Sequence, residues 1–123
     1  KKCSMQYPFL ADFKRVWEMD LDKDAYEGIR YYFRWFDPMH LKEEEVFKRL
    51  GYIDIVNFSK KLECELLIGT GLLDTICPPS TQYAVFNNAN CNKKHLVFHK
   101  YGHEINNFFE NENLKFMLFH EDL

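Results

Sequence analysis

The chain has 123 residues, of which 46% are hydrophobic and 28% charged, with a net charge of −3. That is the length of one domain, enough to bury roughly two-thirds of its unfolded surface, and the composition excludes a disordered chain. An acidic balance with no basic stripe gives no electrostatic case for nucleic acid, and no apolar run reaches the ~20 residues of a membrane span.

The four cysteines, Cys3, Cys64, Cys77 and Cys91, are far apart and form no C-x-x-C pair. This argues against a zinc module and predicts free thiols in a reducing, cytoplasmic compartment. The sequence opens Lys1–Lys2–Cys3 with no signal-peptide pattern of its own and no initiator Met, so the natural N-terminus is expected upstream.

Residues 2–6 suggest the end of a short strand, closed by Tyr7–Pro8. From 9 to 19, Phe9, Phe13, Val16 and Trp17 fall on one helical face. Asp24 is placed to cap a second helix carrying Tyr26, Ile29, Phe33 and Phe36 and stopping at Asp37–Pro38. A third helix is expected over 41–50, with Glu43, Glu44 and Glu45 where the helix dipole favours negative charge. Asp54 caps a fourth, over 55–62. Then the period changes: 64–70 is short, apolar and closed by glycine, as a strand buried on both faces should be. A helix follows over about 79–89, with Pro tolerated in its first turn, then a strand over 95–100 and a terminal helix over 105–120. The second half is thus β-α-β-α, which favours parallel strands and an α/β fold.

In such sheets, functional residues gather in the loops beyond the carboxyl ends of the strands. Two loops qualify, one holding Asp74 and the other His103 in "YGHE", 29 positions on. If the strands are parallel neighbours, the two side chains share an edge. An imidazole beside a carboxylate is the base and orienter of a nucleophilic triad, and the order Asp then His is the one used in α/β-hydrolases. Spacing alone does not separate this pair from a solvated turn aspartate and an ordinary histidine.

The surrounding text does. "GLLDTICPPSTQYAVFN" followed by "KKHLVFHKYGHE" resembles a block of the acetyl xylan esterase and cephalosporin-C deacetylase family, carbohydrate esterase family seven. "YPFLADFKRVWEMD" and "LGYIDIVNFSKKL" resemble that family's helical insertion and the helix before its seventh strand, so the likeness covers nearly the whole chain. The resemblance implies the C-terminal portion of an α/β-hydrolase fold: about three parallel strands with flanking helices, a helical insertion at about 9–50 and an Asp/His-bearing part at about 51–123. It implies a serine esterase that removes acetyl groups from xylo-oligosaccharides or other small acetyl esters, cephalosporin C included, without a cofactor. Asp74 and His103 map onto the triad aspartate and histidine.

The nucleophile is not in the text. The serines are Ser4, Ser59 and Ser80, and none lies in G-x-S-x-G. Ser80 follows Pro78–Pro79, where a first-turn or capping role is the better reading. The resemblance places the serine and an oxyanion loop upstream, so the chain by itself is expected to be inactive.

Other groupings are weaker. His95, His99 and His103 recur every fourth residue but lie on and beyond a strand, which argues against a metal site. Cys77 lacks an elbow and reads as a spectator thiol. The run Tyr31, Tyr32, Phe33, Trp35 and Phe36 reads as a helix face for core packing or subunit contact, or as a platform for sugar rings. The competing function is a stand-alone, non-catalytic helical-α/β module binding a protein or sugar partner through that aromatic surface. The resemblance also places upstream the strand that would pair with the first one here, so an open edge, and with it self-association or association with the N-terminal part, is expected.

Overall fold

The computed structural model describes residues 1–119. Three parallel strands form one sheet in the order β1 (Lys2–Gln6), β2 (Glu65–Gly71) and β3 (Lys93–Phe98). Register runs Cys3 opposite Leu66 and Leu66 opposite Lys93. The central strand is buried on both faces, and its pleat sorts its residues between two layers. Leu66 and Ile68 pack on Ala11, Val85 and Ala89, with Cys3, Met5, Ile55 and Val56 around them. Leu67 turns the other way, onto Phe109 and Phe116. Gly69 shares that side: a Cβ there would sit 2.5 Å from the Phe109 ring, so only glycine lets the ring lie against the sheet.

Two helices flank the sheet. Helix α5 (Pro79–Asn88) crosses from β2 to β3, and α6 (Asn107–Leu118) closes the opposite face. Asn106 caps α6 by accepting from Phe108 N and Phe109 N. At the other end Lys2 Nζ, on β1, donates to the carbonyls of Phe116 (2.7 Å) and Phe119 (2.9 Å), a cation at a helix C-terminus. The expected helix end at His120 lies outside the described residues.

Between β1 and β2 run the helices α1 (Phe13–Glu18), α2 (Glu27–Phe36), α3 (Glu43–Leu50) and α4 (Ile55–Ser59). The first three pack around a second core of Tyr7, Phe13, Val16, Tyr26, Ile29, Phe33 and Cys77, with Trp17 and Phe47 against it, while α4 turns Ile55 and Val56 to the sheet. Buried carboxylates hold their ends. Asp54 accepts from Val56 N as the cap of α4, and also from Asp12 N and Phe13 N at the start of α1. Asp37 accepts from Leu41 N and Lys42 N, and Asp22 takes both Nε and an Nη of Arg30.

Several boundaries differ from the sequence expectation. The first helix begins at Phe13, not Phe9, because residues 7–12 cross the end of the sheet with Tyr7, Leu10 and Asp12 at positive φ. Each such residue costs on the order of 1 kcal/mol. Tertiary bonds hold them there, Tyr7 N to Gly69 O (3.0 Å) and Ile55 N to Leu10 O (3.0 Å) among them. Asp24 does not cap α2; it opens a short 3-10 turn, Asp24–Tyr26, that leads into it. Phe36 is 78% exposed, since α2 ends before its last turn reaches the core and Phe33 alone takes the buried position there. The third strand starts two residues early, at Lys93, because pairing with β2 fixes its span. His99 consequently falls in the turn after β3 and not on the face shared with His95.

Candidate active site

The parallel register brings the ends of β2 and β3 side by side, and the loops beyond them are bonded to one another. Leu72 N donates to Phe98 O (3.0 Å) and Leu73 N to Tyr101 O (2.9 Å). Gly71 makes this approach feasible, since a Cβ there would lie 2.5 Å from Tyr101 O and 2.7 Å from Gly102 O. The glycine at the strand end thus sets the distance between the two loops.

Asp74 and His103 meet across that junction. His103 Nδ1 lies 2.9 Å from Asp74 Oδ2; the carboxylate side chain is fully buried and the imidazole is 37% exposed. Asp74 Oδ1 accepts from Ile76 N (2.9 Å) and Cys77 N (2.8 Å), a local turn that fixes the carboxylate plane. Its Oδ2 also accepts from Gln82 Nε2 (3.2 Å). Oδ2 faces the ring as an acceptor, which selects the His103 tautomer with hydrogen on Nδ1 and leaves Nε2 as the acceptor.

The outer side of the imidazole is furnished by the residue that follows β1. The Tyr7 ring packs on His103 with centroids 5.2 Å apart and planes at 41°. Burial pushes the Tyr7 phenol up from its ordinary value, with the nearby Asp74 and Glu104 charges adding to the effect. Glu104 Oε1 accepts from Gly102 N (3.1 Å), closing the loop on itself. Gln6, Tyr7, His103, Glu104 and Ile105 line an open cleft of about 200 Å³. A larger cavity, about 470 Å³, lies among Phe13, Ile29, Val46 and Leu50 and includes no titratable pair of this kind.

Asp74, Cys77 and His103 bring one ligand atom each within 4.8 Å of one another, which invites a test as a metal centre. The donor set does not suit one. Burial, reinforced by the Asp74 charge, pushes the Cys77 thiol up to about 12, so it remains protonated, and metals bind the thiolate. Both Asp74 oxygens already accept hydrogen bonds.

The remaining sequence candidates fall elsewhere. His95 Nε2 lies 2.7 Å from Thr70 Oγ1, with the ring between Tyr83 and Phe86, and burial lowers its pKa. Ser80 sits in the first turn of α5, accepting from Arg15 Nε and donating to Met19 Sδ. Ser59 donates to Val56 O, and Ser4 lies on β1. None of the three serines meets His103. Sequence reasoning missed Gln82, Tyr7 and Gly71. Gln82 carries the one signal that was legible, an amide three positions into a helix that opens beside Asp74.

A family model described as acetyl xylan esterase (AXE1) matches residues 1–120. The chain belongs to the acetyl xylan esterase family. It is 47% identical to the crystal structure of acetyl xylan esterase 1 from Thermoanaerobacterium sp. JW/SL YS485, with a TM-score of 0.94 over 96% of this chain and 37% of that one. Against the acetyl xylan esterase from Paenibacillus sp. R4 the identity is 34% and the TM-score 0.91, over 95% and 37%. A curated relative, acetyl esterase Axe7A of Xylanibacter ruminicola, is 36% identical over 95 residues, 77% of this chain and 20% of the relative. The chain therefore spans about a fifth of that relative and little more than a third of either solved esterase. Its sheet is of the α/β-hydrolase type.

Proposed function

We propose that this chain is the Asp/His-bearing part of a serine carboxyl-ester hydrolase acting on acetylated xylo-oligosaccharides or similar small acetyl esters, cephalosporin C among them. The observation that carries the reading is the His103–Asp74 pair, 2.9 Å apart, with a buried carboxylate and a half-open imidazole at the carboxyl ends of adjacent parallel strands. With Nδ1 engaged by Asp74, Nε2 is the nitrogen left to act as base. It takes the proton of a serine supplied by polypeptide outside these residues, as that oxygen attacks the acetyl carbonyl. His103 then hands the proton to the departing sugar oxygen, and the acetyl-enzyme is hydrolysed by the same steps with water. Asp74 stabilises the imidazolium formed between the two transfers.

Among the described residues no serine meets His103, and a missing oxyanion donor alone is worth about 10²–10³-fold. The chain alone is expected to leave p-nitrophenyl acetate unhydrolysed above background. Substituted for the matching segment of the Thermoanaerobacterium esterase, it is expected to support deacetylation that Asp74→Asn abolishes. A folded chimera with no activity, or turnover by the isolated chain that Asp74→Asn removes, would sink the reading.

We also propose that the chain associates, with itself or with the remainder of its protein. Among the described residues β1 has one neighbour in the sheet, and Trp35, Phe36, Met39 and Leu41 stand 70–82% exposed. A monomer in sedimentation at high micromolar concentration would overturn this. Among the described residues no helix is long and apolar enough to cross a membrane.

A further inference from the structure

We infer that Gln82 is a positioning residue for His103: its amide holds the Asp74 carboxylate in the orientation that fixes the imidazole tautomer. The inference rests on the dyad reading above, but it concerns a residue that reading does not require.

Gln82 is completely buried on the first turn of α5. Its Nε2 donates to two acceptors, Asp74 Oδ2 at 3.2 Å and Cys77 O at 2.5 Å. Neither acceptor can donate, so chemistry decides which end of the amide faces them, and the flipped assignment would set oxygen against oxygen. That orientation leaves Gln82 Oε1 buried with no hydrogen-bond partner among the described residues. A buried orphan acceptor is costly, and an apolar side chain of similar shape would fill the position without one. The fold keeps the orphan in order to keep the donor.

The donor's target explains why. Asp74 Oδ1 is already fixed by the backbone of residues 76 and 77, whereas Oδ2 meets, among the described residues, His103 and Gln82. Among those residues Gln82 is thus the group, apart from the imidazole itself, that locks the oxygen His103 uses. It reaches that oxygen from a helix, so the lock is independent of the loop that carries His103. The other groups facing the pair are the Cys77 thiol and the Tyr7 phenol, both raised by burial and protonated at neutral pH, and the Glu104 carboxylate. None of these donates to Oδ2.

The test is ¹⁵N NMR of the His103 ring in the 123-residue chain, which reads tautomer directly and needs no esterase activity. In the parent chain the two ring nitrogens should give well-separated signals, Nδ1 protonated and Nε2 bare. Gln82→Met keeps the volume and removes the donor, and the two signals should move toward each other as the tautomers mix, part of the way to the pattern of Asp74→Asn. Gln82→Glu supplies an internal rescue. The variant is read against the parent at each pH, so that protonation of the imidazole itself cancels. While the introduced carboxyl is protonated it can donate to Asp74 and the two chains should match; as it ionises beside Asp74, the variant should depart from the parent toward Gln82→Met. Signals in Gln82→Met identical to the parent, in a chain whose circular dichroism shows it folded, would overturn the inference, as would a Gln82→Glu pattern that follows the parent at every pH. If Gln82→Met does not fold, the Gln82→Glu titration decides alone. Either failure leaves the esterase reading intact, because that stands or falls with the chimera's activity.

Discussion

Two buried aspartates of this chain look alike by exposure and do different work. Asp54, in the helical part between β1 and β2, accepts three bonds, all from backbone N–H groups: those of Asp12, Phe13 and Val56. Asp74, beyond β2, accepts two from backbone and two from side chains, one of them a half-exposed imidazole. The first carboxylate ties two helix starts together. The second is held rigid by its backbone bonds so that it can hold something else. Burial of a charge is therefore not the mark of a functional site; a buried charge whose partner reaches solvent is the more telling combination.

The sharpest way to break that contrast is to remove each carboxylate's charge with little change of shape. In the chimeric esterase, Asp74→Asn should lower kcat/KM by on the order of 10⁴-fold, the scale expected when an orienting carboxylate is lost, with a smaller effect on unfolding. Asp54→Asn should do the reverse, costing about 2 kcal/mol in denaturant unfolding while leaving kcat nearly unchanged. Equal rate losses in both would mean that the two sites are not separable.

The two cores offer a second contrast. Phe33 is 1% exposed and Phe36, three residues on, is 78% exposed. Phe33→Ala should destabilise the chain by about 4 kcal/mol, and Phe36→Ala by no more than about 0.5 kcal/mol while the chain is monomeric. A large effect of Phe36→Ala that grows with protein concentration would instead assign that face to an interface.

A smaller effect is expected at the loop junction. Gly71→Ala must push back the Tyr101–Gly102 carbonyls, at about 2 kcal/mol, and should broaden or shift the His103 ring signals while leaving those of His95 in place. Unchanged His103 signals would mean the loop absorbs the methyl group without moving the ring.

The smallest effect is a pH dependence that belongs to His95. Burial lowers the His95 pKa in the folded chain below its ordinary 6.5. The unfolded chain then binds the proton more readily, so His95's contribution to stability is fully present above 6.5 and is lost as pH falls through the lower folded value. Denaturant midpoints measured on either side of 6.5 should differ less in His95→Gln than in the parent. An undiminished difference would move the dependence to another group.

Much of this was legible without coordinates, and the reason is local chemistry. The order of helices and strands follows from periodicity, and the capping role of Asp54 follows from its place before an apolar run. The pairing of Asp74 with His103 was expected from two motifs and the rule that parallel neighbours present their loops on one edge. Local cues failed where tertiary bonds outweighed them. Positive φ at Tyr7, Leu10 and Asp12 delays the first helix to Phe13, against an apolar period that runs on from Phe9. Pairing with β2 draws the third strand back to Lys93.

What no single segment encodes is which atoms meet. The sequence by itself determined that an acid and a base of the right kinds stand at the ends of two neighbouring strands. Only the tertiary structure decided that Gly71 lets the two loops touch, that Tyr7 lies on the imidazole, and that Gln82 turns its amide toward Asp74. Those contacts depend on side chains from three separate elements arriving within about 3–5 Å of one another, a distance set by sheet register and helix docking rather than by the propensity of any one residue.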